Sequence, residues 1–267
     1  MCRDRQTMKT TFLQLCALVR LSFLELWRRN DIFGLLILAL ALMVPLSLAT
    51  PFGATGATRY LDEVALLLIW GFSLFIALGT GSRLFPPEFE SRTIYPLLAK
   101  PISRGRLLFG KYLGAVAASG SALTFFYLLF AVSVGLRGGA WFPSDLLQAF
   151  ALHLGFVSLV VALALLGSLL VTASANLTLC GILSVAMFFF GRNLPQYADG
   201  VAAPASWLVK IAYAIAPHVE FFDMRQRVIH GWGGVDAGVL VAALGYAAAY
   251  VAVVLALAAW ALKRKRL

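Results

Sequence analysis

The sequence is poor in charged residues, and above all in acidic ones. Of its 267 residues, 12 are acidic and 22 are basic, so charged residues make up 13% of the chain, about half of the roughly 25% found in soluble domains. Hydrophobic residues make up 61%, and the mean hydropathy is +0.87. A water-soluble globule cannot bury so much apolar surface. The composition therefore excludes a soluble protein and predicts one embedded in a bilayer.

Cysteine and histidine are also scarce. The three cysteines, Cys2, Cys16 and Cys180, are far apart and match no metal or redox spacing. His153 is the one histidine inside a predicted membrane span, and no acidic residue lies near it in sequence. Because a metal or catalytic site needs several converging partners, we interpret the cysteines as packing residues and His153 as a packing or hydrogen-bonding residue.

The short motifs of common catalytic sites are absent. The sequence contains no HExxH, GxSxG or CxxC, which disfavours an intramembrane enzyme acting on lipid. It also contains no GxxxxGK[ST] loop to wrap the phosphates of a nucleotide. We therefore expect no metal and no cofactor in this chain, and any use of ATP and Mg must come from a partner protein.

Long apolar runs are what the sequence has in abundance. A hydrocarbon core about 30 Å thick requires about 20 residues of helix, and six runs are long enough. No alternating barrel pattern is present, so the predicted fold class is an all-α integral membrane protein forming one domain over residues 1–267. The predicted spans are 32–50, 64–83, 107–136, 146–172, 177–192 and 235–262.

The basic residues are distributed unevenly between the two sides of these spans. Sixteen of the 22 lie in the N-terminal arm, between spans two and three, or in the C-terminal tail. By the positive-inside rule both termini are cytoplasmic, which requires an even number of spans and agrees with six. Because the basic residues lie at the ends of apolar runs, topology explains the net charge of +10 better than nucleic-acid binding does.

Residues 1–30 predict an amphipathic helix. Its apolar residues recur at spacings of three and four, with charged residues between them. Trp27, Arg28 and Arg29 suit membrane-interface anchors, which favours a helix lying on the cytoplasmic leaflet. The alternative is a soluble helix packed on another subunit. The apolar stripe consists of Phe12, Leu15, Cys16, Val19, Phe23, Leu26 and Trp27.

The extracytoplasmic segment, residues 193–236, is too polar to span the membrane and too apolar to lie free in water. Trp207, Leu208, Ile211 and Ile215 share a helical face, and Pro217 interrupts the run. We expect short re-entrant helices that dip into the outer leaflet before the last span.

The cytoplasmic loop, residues 84–106, has more pattern than a basic connector requires. Pro86 and Pro87 can end span two and open a new helix, in whose first turn Glu88 and Glu90 favour the helix dipole. Ser103 can cap the third span. The pattern predicts a short helix at the membrane surface, and the alternative is a solvated loop that only sets topology.

This loop resembles that of a known family. Residues 90–98 read ESRTIYPLL, 100–104 read KPISR and 110–114 read GKYLG. They are similar to the cytoplasmic loop of type-2 ABC transporter permeases (the ABC-2 type membrane subunit). Within that family, the loop sequence most resembles the permeases associated with maturation of multicopper enzymes. No cluster of Met, Cys or His residues in this chain supports copper handling. The sequence motifs are similar over about 30 residues. Over the rest of the chain only the predicted order of helices and spans is similar.

The resemblance implies a permease subunit of an exporter in a bacterial inner membrane. Its partners would be cytoplasmic ABC ATPase subunits, which bind ATP and Mg, and a second permease copy or a homologous permease. The loop would form a coupling helix that docks on the ATPase. A stand-alone membrane channel or scaffold without an ATPase is the alternative. The coupling residues implied by the resemblance are Glu88, Glu90, Arg92, Thr93, Leu97 and Leu98.

Overall fold

The computed structural model describes residues 2–28, 30–48, 55–90, 103–200 and 205–264. Within these ranges the chain forms eleven α-helices, two short 3-10 helices and no strand. The α-helices are α1 Cys2–Trp27, α2 Asn30–Leu48, α3 Thr55–Ser82, α4 Pro86–Glu90, α5 Arg104–Leu136, α6 Ser144–Leu170, α7 Ala173–Phe190, α8 Leu194–Asp199, α9 Ala205–Ile215, α10 Arg225–His230 and α11 Ala237–Arg264. The 3-10 helices are Gly191–Asn193 and Val219–Phe222.

Five helical stretches in the described ranges are long and apolar enough to cross a membrane. They are Arg59–Phe89, Arg104–Leu136, Ser144–Leu170, Ala173–Asn193 and Ala237–Arg264, which match the last five predicted spans. The first predicted span corresponds to α2, whose apolar stretch Phe33–Pro45 is shorter. The 19 residues of α2 extend about 28 Å. The all-α membrane fold is confirmed, and the six-span layout stays a prediction.

The centre of the bundle is formed by α3, α5 and α6. Their facing sides carry small residues that let the helix backbones approach closely. A Cβ added at Gly81 on α3, for example, would lie 2.6 Å from the Cβ of Ala164 on α6. In contrast, only 17% of the span residues of α7 and of α11 are buried, so these two helices leave broad apolar faces uncovered within the described structure.

A buried polar chain joins α3, α5 and α6. The Ser73 hydroxyl donates to the Trp70 carbonyl (2.9 Å) and lies 2.7 Å from His153 Nε2, and the Tyr127 hydroxyl lies 3.2 Å from His153 Nδ1. Because the single Ser73 hydrogen is already committed, Nε2 donates to Ser73 and Tyr127 donates to Nδ1. A neutral imidazole is thereby satisfied on both sides, which confirms His153 as a hydrogen-bonding core residue.

The segment between α7 and α11 is broken into short helices. α9 ends at Ile215, just before Pro217, and the predicted face of Trp207, Leu208, Ile211 and Ile215 is exposed on it. After Pro217 the chain forms the 3-10 helix Val219–Phe222 and then α10. The Asp223 carboxylate accepts from the Arg225 backbone N–H (3.1 Å) at the junction.

Candidate functional site

The first turns of α5, residues 104–114, contact three other parts of the chain. These are the turn between α3 and α4, the middle of α1, and the C-terminal end of α11. We call this segment the α5 hub. The three basic regions that the sequence assigns to one side of the membrane therefore meet in one place.

Lys111 fastens the α3–α4 turn to the α5 hub. Its ammonium group donates to the Leu84 carbonyl at 2.8 Å and pairs with Glu88 Oε1 at 2.5 Å. The same group lies 5.1 Å from the centroid of the Phe85 ring. The Lys111 and Glu88 side chains are 5% and 13% exposed, so solvent screens this ion pair weakly. The turn and the first turn of α4 are consequently held in one position relative to α5.

The local sequence explains how Glu88 reaches Lys111. α4 begins at Pro86, as predicted, because a proline needs no backbone partner in the first helical turn. The N–H groups of Glu88 and Phe89 donate to the Phe85 carbonyl at 3.0 and 3.1 Å. Phe85 is itself fully buried. Its side chain anchors the turn, and the carboxylate three residues later lies beside α5.

α1 packs lengthwise on the α5 hub. A Cβ at Gly110 would lie 2.8 Å from the Leu18 Cβ, and a Cβ at Gly114 would lie 2.6 Å from the Ser22 Cβ. Residues 18 and 22 thus pair with 110 and 114, so the two helices run in the same direction. The structure has a helix in this region, Cys2–Trp27, and it packs on the glycine face of α5 in the same chain, whereas its position at the membrane interface stays a prediction.

The buried face of α1 differs in part from the predicted stripe. Leu18, Ser22 and Leu26 are buried, and two of them, Leu18 and Ser22, were not in that stripe. Cys16, which was in it, is exposed. The reason is that glycines admit small contacts such as Ser22, whereas an apolar-moment argument counts only hydrophobic side chains.

The end of α11 is tied to the α5 hub by Arg104. Its guanidinium donates to the carbonyls of Leu262 (3.1 Å) and Lys263 (3.3 Å) in the last turn of α11. These carbonyls have no partner inside the helix, and a cation at this position also favours the helix dipole. The neighbouring Ser103 accepts from the Arg106 N–H and caps α5, as predicted.

Asn176 joins α3, α6 and α7 near the same end. Its side-chain nitrogen donates to the Ser82 hydroxyl (3.0 Å) and to the Ala164 carbonyl (2.6 Å), and its oxygen accepts from the Cys180 thiol. The residue is 1% exposed. A Cβ at Gly167 would overlap this amide, so glycine leaves the space that Asn176 occupies.

The structure locates some of the predicted site residues. Glu88 points inward to Lys111, and Glu90 is the last residue of α4. Arg28 is exposed, and Trp27 is the last residue of α1. The remaining predicted residues, Arg29, Arg92, Thr93, Leu97 and Leu98, and the side chains of Trp27 and Glu90, lie outside the described part of the molecule.

Sequence reasoning missed Lys111, Arg104 and Asn176. Lys111 carried a signal, because a basic residue within a predicted span at 107–136 is costly unless it has a partner. Its partner Glu88 lies 23 residues away in the sequence, a pairing that local patterns do not show. In the described residues no group of three His, Cys, Asp or Glu side chains lies close enough to hold a metal ion.

The hub thus joins α1, the α3–α4 turn and the end of α11 to α5 through a buried ion pair, hydrogen bonds and close packing. No curated protein matches the chain. The family model described as "ABC-2 family transporter protein" matches residues 36–267, from within α2 to the C-terminal end. Since this covers most of the 267 residues, the chain belongs to the ABC-2 family of transporter membrane proteins.

Proposed function

We propose that this protein is the permease subunit of an ATP-driven exporter, in which a separate ATPase subunit hydrolyses ATP and this chain moves the substrate. Membership of the ABC-2 family supports a membrane transport subunit that is not itself catalytic. The observation that carries the coupling part of the proposal is the position of Lys111, which binds Leu84 and Glu88 at once.

The α5 hub supplies a route for force. α4 precedes residues 91–102, the loop that resembles a coupling helix, and Lys111 ties α4 to α5. α1 and the C-terminal end of α11 contact the same turns of α5. A push on the loop therefore reaches several spans together, because the junction is packed rather than flexible. In this proposal Glu88 positions the helix, and Glu90, Arg92, Thr93, Leu97 and Leu98 contact the ATPase.

The proposal includes a topology and an assembly. The loop and both termini face the cytoplasm of a bacterial cell, α2 is the first of six spans, and the short helices after α7 dip into the outer leaflet. α1 lies at the cytoplasmic interface with Trp27, Arg28 and Arg29 at its end. Two permease chains and two ATPase subunits form the transporter, and ATP and Mg bind only in the ATPases.

Co-purification tests this function. The chain, extracted in a mild detergent from its own host, should retain an ATPase whose activity responds to the permease. The double variant Glu90→Ala/Arg92→Ala should insert normally and keep ATP hydrolysis while transport falls. A chain that purifies alone and conducts solutes in vesicles without ATP would instead be a channel, and the proposal would fail.

A further inference from the structure

Two adjoining cavities meet at the C-terminal end of α7, which lies away from the α5 hub. One is an apolar groove of about 680 Å³ between α3 and α7. The other is a polar cavity of about 600 Å³ between the end of α7, the Val219–His230 segment and α11. Both are lined by Phe188 and Phe189. An apolar space and a polar space therefore share one aromatic wall.

The groove has the character of a site for a hydrocarbon chain. Apart from Thr178 and the indole nitrogen of Trp70, its lining is apolar. Along α7 it extends from Leu177 to Phe190, which is about 20 Å of helix. One leaflet of the hydrocarbon core is about 15 Å thick. The groove is therefore long enough for the chain of a lipid from one leaflet.

The polar cavity has the character of a site for an anion. Arg192, Arg225 and Arg227 line it, together with the two carboxylates Glu220 and Asp223. Asp223 neutralises Arg225 through two contacts of 2.9 and 3.1 Å. Within the described part of the chain, the exposed Arg192 and Arg227 form no ion pair. Two uncompensated guanidinium groups are thus available to a ligand.

Glu220 does not cancel these two cations in the open space. Its Oε1 accepts from the Tyr213 hydroxyl at 3.3 Å, and its Oε2 is buried beside Gly191, where a Cβ would lie 2.7 Å away. Burial, followed by the nearby Glu220 carboxylate, raises the pKa of Tyr213, so its hydroxyl stays protonated as the donor. The carboxylate is directed into the protein.

We infer that the two cavities together bind one amphiphile with an anionic phosphate-type headgroup and a hydrocarbon chain, taken from the bilayer. Arg192 and Arg227 hold the headgroup, because guanidinium groups match phosphate oxygens. The chain passes Phe188 and lies in the groove between α3 and α7. That this amphiphile is the transported substrate rests on the proposed transport function. That the two cavities bind it does not depend on that function.

Binding to the full chain in detergent or nanodiscs tests the inference without an ATPase. The probes are phosphatidylglycerol and phosphatidylcholine with the same chains, and retention is measured by native mass spectrometry with a titration of the labelled lipid. Arg192→Gln/Arg227→Gln should weaken phosphatidylglycerol binding by about tenfold or more. It should weaken phosphatidylcholine binding much less, because the choline cation offsets the charge of that headgroup's phosphate.

A control removes the same charge elsewhere on this side of the molecule. In Arg59→Gln/Lys210→Gln both cations lie outside the cavity, and Lys210 pairs with the exposed Asp199. This variant should change phosphatidylglycerol binding less than twofold. An equal loss in both double variants would reduce the effect to net charge and overturn the inference. Competition by inorganic phosphate as strong as competition by the lipid would assign a free anion instead, and would also overturn it.

The groove is tested separately by filling it. Gly181 lines the groove, and a Cβ there would meet the nearest heavy atom, Leu78 Cδ1, only at an ordinary contact of 3.5 Å. Gly181→Leu should therefore fold and weaken phosphatidylglycerol binding, whereas Gly245→Leu, with nothing within 4 Å of its Cβ, should not. Unchanged lipid binding in Gly181→Leu with loss of a dimer would assign the groove to a second copy and overturn the inference. Failure of ATPase co-purification with intact lipid binding would remove only the cargo assignment.

Discussion

Lys111 on α5 and Glu88 on α4 form a salt bridge of 2.5 Å that is almost closed to solvent. The two residues are 23 positions apart, and the pair holds α4, at the start of the charged loop, against α5 of the central bundle. Lys111 also satisfies the Leu84 carbonyl at the end of α3. One side chain thus holds both the turn after α3 and the first turn of α4 against α5.

Removing the cation should cost more than neutralising the anion. Lys111→Met leaves the Glu88 carboxylate and the Leu84 carbonyl without their donor, so we expect a loss of about 3–5 kcal/mol in the free energy of unfolding. Glu88→Gln keeps an oxygen that accepts from Lys111 but leaves the ammonium group without its counter-ion, so it should cost about 1.5–3 kcal/mol. Thermal unfolding in detergent checks the order. The matched control is Arg106→Met, an exposed basic residue five positions earlier on α5. A similar shift in all three variants would contradict the buried pair.

A methyl group should be harmful at Gly114 and harmless at Gly245. Both glycines lie inside long helices, but a Cβ at Gly114 meets Ser22 on α1, whereas a Cβ at Gly245 meets nothing within 4 Å. Gly114→Ala should therefore displace α1, and Gly245→Ala should stabilise α11 by up to about 1 kcal/mol.

The measurement for this pair is the maleimide reactivity of a Ser22→Cys reporter in a background without Cys2, Cys16 and Cys180, since Ser22 is buried in the parent protein. Reactivity should rise severalfold with Gly114→Ala and stay constant with Gly245→Ala. Equal reactivity in both would show that α1 does not pack on Gly114.

Asn176 should contribute to stability through its hydrogen bonds. Asn176→Leu removes the donors to Ser82 and Ala164 and leaves the Ala164 carbonyl without this buried partner, which costs about 1–3 kcal/mol. Thr178→Val, two residues later, removes one exposed hydroxyl bond to Ser174 and should shift the unfolding temperature little. If the two substitutions lower the unfolding temperature equally, the hydrogen bonds of Asn176 do not stabilise the protein as predicted.

Single-cysteine labelling should place the two ends of α5 on opposite sides of the membrane. In a background without Cys2, Cys16 and Cys180, we expect Arg106→Cys to react with a membrane-impermeant maleimide only in inverted vesicles. Ala140→Cys, in the turn after α5, should react only in right-side-out vesicles. Both positions are exposed, so accessibility is matched. Labelling of Arg106→Cys from outside would reject the proposed docking of an ATPase at the loop.

Much of the fold could be predicted because the signals are local. Long apolar runs identified the five helices that meet the length and hydropathy of a span. Pro86 marked the start of α4, and Ser103 marked the cap of α5, because proline and serine act on the backbone beside them. α2 shows the limit of this approach, since its described apolar stretch is too short to decide a sixth span.

The sequence by itself determined that this is a membrane protein, because the apolar composition and the length of the apolar runs suit a bilayer and not water. Its loop motif also pointed to the family that the match over residues 36–267 establishes. Only the tertiary structure decided that Glu88 faces Lys111, that α1 lies on Gly110 and Gly114, and that arginines adjoin the apolar groove. These relationships join residues from different helices. Such pairs depend on how the helices pack, and packing is set by the shapes of all the contacting side chains rather than by the order of residues in any one segment.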